Sequence, residues 1–193
     1  MDADAAALSA LAESPVQLSA QPEGVCALLP DWSAVVHQAN CVSFGAAGLA
    51  AELFRRVPPA DVYRRRAGPR ARPDHPGSLD FTPGRPEVVA LFAQVYPGRA
   101  GAGGDSPEDR LRFFQSGLEG ILAEARRRGG GAFAGGVVFP WRIGCGLAGG
   151  DWARYAGLVA GFARRAPFPV LVVGRPGDLP EGAAPRPRSP AHN

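Results

Sequence analysis

Two short stretches combine residue types suited to gripping a phosphate-rich ligand. The first reads Asn40-Cys41-Val42-Ser43-Phe44-Gly45-Ala46-Ala47-Gly48, the second Ile143-Gly144-Cys145-Gly146-Leu147-Ala148-Gly149-Gly150-Asp151-Trp152. Small side chains let backbone amides approach an anion closely, and a helix starting just beyond such a loop adds unsatisfied N–H groups and a favourable dipole. Neither stretch carries the Gly-Lys-Ser/Thr of a P-loop or a strict G-x-G-x-x-G fingerprint. Two such loops on one sheet would still hold a diphosphate between them, which points to a nucleotide-like ligand. Asn40 stands where a strand should end, either contacting that ligand or capping a turn. Asp151, the carboxylate of the second loop, can orient a water or cap a helix. Cys145 is either an activated thiol near a helix start or a small packed side chain.

Elements able to carry these loops are readable on both sides of them. Near-continuous apolar runs bounded by turn residues predict buried strands over 33–39, 87–93, 137–139 and 169–173, with a weaker candidate over 16–20. Helices follow the two loops, over about 46–57 and from Asp151 to 164, the second burying Trp152 beneath its loop. Between them Ser106-Pro107-Glu108-Asp109 supplies a cap, a first-position proline and acidic residues. The helix it opens closes at 126–128 before Gly129. His37 falls inside a strand, on the face opposite Asn40, as a buried and hydrogen-bonded histidine. Strands alternating with helices imply an α/β fold with a mixed, mostly parallel sheet covered on both faces.

Composition limits the chemistry further. At 193 residues, with 46% hydrophobic and 20% charged residues, the chain is one globular domain. Its ends are expected to be ragged: a flexible segment over 1–13, a domain over 14–174 and a disordered Pro/Gly/Arg-rich tail over 175–193. All 21 basic residues are arginine, so no lysine mechanism is available. Three cysteines at these spacings make neither a disulfide framework nor a metal site, which suits a reducing compartment. No secretory signal and no membrane span is legible, so the expected location is intracellular, cytoplasmic or nuclear. The arginine runs 64–66 and 126–128 read as solvated; without interleaved exposed aromatics they argue against nucleic-acid binding.

The residues 35–41, the loop through Gly48-Leu49-Ala50, Phe139-Pro140, 143–147 and Gly149-Gly150-Asp151-Trp152 together resemble a macro domain, over about residues 16–173. The likeness is to the small stand-alone type that includes ADP-ribose 1″-phosphate phosphatases and the terminal ADP-ribose protein glycohydrolase. Leu91-Phe92-Ala93-Gln94 resembles that fold's central strand. The resemblance implies a three-layer α/β/α fold. It also implies that Asn40 grips the distal ribose, that Gly45, Ala46, Ala47 and Gly48 wrap that ribose and the diphosphate, and that 144–150 close from the other side. Ser43 and Ala46 stand where the family has glycine, and Ala148 stands where the glycohydrolase has its aspartate. For the adenine, Glu23 is the one residue to consider.

Three functions follow as expectations. One is hydrolysis of ADP-ribose 1″-phosphate or an ADP-ribosyl ester, with Asn40 and Asp151 as the catalytic residues. Another is recognition of ADP-ribose, free or on modified proteins, without turnover. The third is a basic nucleic-acid-associated protein. No cofactor and no metal are expected, and the chain is expected to act as a monomer away from membranes.

Overall fold

The computed structural model describes residues 3–67, 72–101 and 104–179. Among these residues six strands form one sheet: β1 (Gln17–Ala20), β2 (Ala34–Asn40), β3 (Leu79–Thr82), β4 (Glu87–Gln94), β5 (Val137–Pro140) and β6 (Val170–Gly174). Their order is β1-β6-β5-β2-β4-β3. Every neighbouring pair is parallel except β3 with β4.

Period-two alternation splits the apolar strand residues between two layers. Val36, Val89, Leu91, Val137, Phe139 and Val172 face one core with α1 (Ala3–Ala12), α4 (Pro107–Arg128) and α5 (Trp152–Ala163). Val35, Val88, Ala90, Phe92, Val138 and Leu171 face the other, with α2 (Gly48–Arg56) and α3 (Val62–Arg65). The expected three-layer α/β/α arrangement with a mixed, mostly parallel sheet is therefore present. The α4 helix lies close on the sheet at Gly117, where a methyl group would come within 2.4 Å of Leu91 Cγ. Its start is a full capping box between Ser106 and Asp109, as the sequence predicts.

Several expectations change. The segment expected to be flexible at the N-terminus forms α1, an alanine-rich helix whose Ala7 and Leu11 are buried and which packs with α5 in the same core. Alanine is the best helix former but leaves little amphipathic signal to read. Edge strand β3 arises inside a Gly/Pro-rich stretch, recruited by antiparallel pairing to β4. Residues 175–179 form a turn in which Asp178 N donates to Arg175 O at 3.0 Å, and Leu179 packs over Gly174. The remainder of the expected tail, 180–193, lies outside the described residues.

His37 is buried as expected but not hydrogen-bonded: neither ring nitrogen has a partner among the described residues, and the ring meets Phe54 edge-on at 5.3 Å. Burial pushes its pKa down from 6.5 to about 4. The unfolded chain therefore takes up the proton first. Stability held above about pH 6.5 is lost as pH falls toward 4, by up to about 3 kcal/mol. Urea unfolding at about pH 7 and about pH 4.5 measures this loss, and His37→Leu should remove most of it; an equal loss in the variant would assign the acid sensitivity elsewhere.

Candidate functional site

A cleft of about 430 Å³ opens beyond the carboxyl ends of β2, β4 and β5, where ligands bind in open α/β sheets. Its first wall is the loop after β2. The β2–β4 register shifts between Ala39 and Asn40, and Asn40 then builds the turn itself. Its Oδ1 accepts from Val42 N at 3.2 Å and Ser43 N at 2.8 Å, while its backbone N and its Nδ2 both donate to the Tyr63 hydroxyl at 3.2 Å.

Behind this loop lies Arg66, buried rather than solvated. Its Nη1 donates to Ser43 O at 2.8 Å and its Nη2 to Asn40 O at 2.7 Å. Asp74 receives its Nε at 2.7 Å. The guanidinium sits over the rings of Tyr63 and Phe92, at 5.1 and 5.4 Å. Asp61 fixes Tyr63 from the other side by capping α3, accepting from Tyr63 N and Arg64 N.

The same wall continues into the start of α2. Ala47 occupies its N-cap in an extended conformation, and no side chain caps the helix there. Ala47, Gly48, Leu49 and Ala50 all line the cleft, so the unsatisfied amides and positive dipole end of α2 meet it. At the floor, Gln38 Nε2 donates to Gln94 Oε1 at 2.8 Å, and Gln94 Nε2 donates to Tyr96 O at 2.9 Å.

The second wall is the loop after β5. Gly144 has φ +76°, and a methyl group there would lie 2.7 Å from Gln38 Oε1 and 2.6 Å from the Tyr155 ring, so only glycine fits. Leu147 leans across to the first wall, where a methyl on Gly48 would sit 3.2 Å from Leu147 Cδ1. This wall is braced by a second buried arginine. Arg110 of α4 donates to Gly98 O at 2.6 Å, Ala148 O at 3.2 Å and Tyr96 O at 3.3 Å, and is paired with buried Asp105 at 2.8 Å. Asp105 in turn accepts from Val95 N at 2.6 Å.

Of the residues expected in the site, Asn40, Gly45, Ala47, Gly48, Gly144, Cys145, Gly146, Leu147 and Ala148 line the cleft. Ala46, Gly149, Gly150 and Asp151 do not. Ala46 packs against the core on the α2 side. Gly150 turns back, its N donating to Gly144 O at 3.0 Å. Asp151 is exposed and caps α5, its Oδ1 accepting from Ala153 N at 2.9 Å. Glu23 lies outside the cleft, paired with Arg56 at 2.8 Å.

Tyr63, Gln38, Gln94, Gly98 and Arg142 line it without having been expected. A polar glutamine at the end of each of two apolar strands was the signal available for Gln38 and Gln94. Arg142, at the cleft mouth, is paired with Asp4 of α1. Cys145 is half-buried, its Sγ donating to Ile143 O at 3.3 Å, and burial pushes the thiol up to about 12, the opposite of an activated nucleophile. Among the described lining residues there is no carboxylate and no histidine. No cluster of His, Cys, Asp or Glu among the described residues could hold a metal, and no helix among them is long and apolar enough to cross a membrane.

No protein-family model and no curated protein matches the sequence. Solved structures do match. The macrodomain of Thermus aquaticus DarG is 12% identical with a TM-score of 0.56, covering 89% of this chain and 98% of its own. That of Mycobacterium tuberculosis DarG is 18% identical with a TM-score of 0.57, covering 83% and 99%. A macrodomain protein from Streptomyces coelicolor is 20% identical with a TM-score of 0.51, covering 81% and 97%. The likeness covers at least 81% of this chain and 97% of each match, and so this chain has the macro-domain fold.

Proposed function

We propose that the cleft binds ADP-ribose, free or attached to a modified protein, and does so as a recognition site without turnover. The observation that carries this reading is the uncapped amino end of α2, held against a second loop of small residues. Unsatisfied amides on one wall and close backbone on the other suit a diphosphate. The amino ends of α4 and α5, by contrast, are capped by the side chains of Ser106 and Asp151. Polar side chains collect at the Asn40 end, where the hydroxyls of a terminal sugar would lie.

Hydrolysis loses its support at the same place. The residue expected to orient a water, Asp151, is engaged as a helix cap. The thiol in the loop is held protonated, the chain has no lysine, and among the described residues no lining carboxylate replaces the aspartate missing at Ala148. The nucleic-acid reading weakens too, because Arg65, Arg66, Arg127 and Arg128 are paired with Asp80, Asp74, Glu124 and Glu87.

Calorimetric titration should show ADP-ribose binding more tightly than AMP. Ligand at about 100 times its dissociation constant should add roughly 2.7 kcal/mol to stability. The same protein should release no phosphate from ADP-ribose 1″-phosphate; release that disappears in Asn40→Ala would restore the hydrolase.

Ala47→Asp is a sharper probe of the α2 terminus. The new carboxylate should stabilise the free protein by about 1 kcal/mol as a cap while weakening ADP-ribose binding at least about tenfold, because it occupies the amides the diphosphate needs. Asp151→Ala should do the reverse, losing about 1 kcal/mol of stability with affinity kept. Unchanged affinity in a folded Ala47→Asp protein would place the anion elsewhere.

A further inference from the structure

Tyr63 is buried, lines the cleft and is held on every side. Its ring meets Phe54 edge-on at 5.7 Å, Arg66 covers it at 5.1 Å, and its backbone N–H is tied to Asp61. The hydroxyl oxygen accepts two hydrogen bonds, from the backbone N and from Nδ2 of Asn40, both at 3.2 Å. Those two bonds use its acceptor capacity. Its own hydrogen has no acceptor among the described residues.

Asn40 is in a complementary condition. Its Oδ1 is taken by two loop amides, and one hydrogen of Nδ2 is directed at Tyr63. Only the second amide hydrogen is left to offer. Between them, Tyr63 and Asn40 therefore present two donors side by side, with their own acceptor oxygens already engaged. A buried donor without a partner is costly in the empty protein and selective in the occupied one, because only an acceptor oxygen relieves it.

Resting on the ADP-ribose reading above, we propose that Tyr63 determines specificity at this end of the site: its hydroxyl donates a hydrogen bond to an acceptor oxygen on the terminal sugar, beside the remaining N–H of Asn40. The phenol acts as a donor to the ligand and as an acceptor for Asn40 at once. The two roles respond oppositely to ionisation, since a phenolate accepts better and cannot donate.

The test measures ADP-ribose and ADP, which lacks the terminal sugar, on the same preparations by calorimetry. Wild-type protein should prefer ADP-ribose. Tyr63→Phe should lower ADP-ribose affinity about tenfold and ADP affinity less than about twofold, collapsing the preference.

Because Tyr63→Phe also removes the support of Asn40, 2,3,5-trifluorotyrosine placed at position 63 separates the roles. Its more acidic phenol should bring in a loss of the ADP-ribose preference as pH rises through its ionisation, with no such change in wild type. If Tyr63 only props Asn40, the phenolate keeps accepting and the preference stays flat with pH, which overturns the proposal. A preference unchanged in Tyr63→Phe overturns it as well. Wild-type protein that binds neither ligand at millimolar concentration removes the ADP-ribose reading and this assignment together, whereas binding with an unmoved preference removes the assignment alone.

Discussion

Two guanidinium groups taken out of water hold the cleft open and in shape. Arg66 and Arg110 are both nearly fully buried, and a buried cation is tolerated only where charge and hydrogen-bond acceptors surround it. Each has a carboxylate, Asp74 or Asp105, and each directs further N–H donors at main-chain carbonyls. Those carbonyls belong to the segments that wall the cleft: Asn40 and Ser43 on one side, Tyr96, Gly98 and Ala148 on the other. Loops rich in glycine and alanine have few side chains with which to anchor themselves. The arginines supply that anchorage from behind, leaving the inner surface to backbone.

The electrostatic character of the cleft follows from what the helix ends do. α5 begins next to the second loop, yet its positive end is already answered by Asp151, so it has little left for a ligand. α2 has no such answer. The positive potential on this wall of the cleft thus comes from peptide dipoles, since Arg142 at its edge is paired with Asp4. Dipolar positive potential of this kind attracts anionic groups and does not itself transfer protons.

How much of this was legible depends on whether its cause is local. Strands β2, β4, β5 and β6 were readable because each is a run of apolar residues between turn formers, and α4 because Ser106 to Asp109 is a cap written in four consecutive residues. The two cleft loops were readable for the same reason. Arg66 was not: within a run of three arginines its burial is decided by Phe92 and by carbonyls more than twenty residues away. Tyr63 reaches the cleft through its contact with Asn40, a pairing no spacing rule announces. Asp151 shows a different limit, since one residue type at a helix start serves equally as cap or as catalyst, and only its hydrogen bond to Ala153 separates the two. His37 was placed correctly in a strand, but whether its nitrogens would find partners depended on the neighbouring layer.

The ends of the described chain meet each other. β1 pairs with β6 and no other strand, α1 packs with α5, and Arg164 donates to Glu13 O across 151 residues of sequence. As the chain leaves the ribosome, residues 3–20 therefore lack their main packing partners until α5 and β6 have emerged. Until then the sheet over β5-β2-β4-β3 lacks the neighbour of β5. An exposed edge strand is a template for pairing with other chains, and arrival of the last strand covers the β5 edge with β6 and, beyond it, β1. Stalled or truncated translation products of this protein belong to the species a cell must hold or degrade.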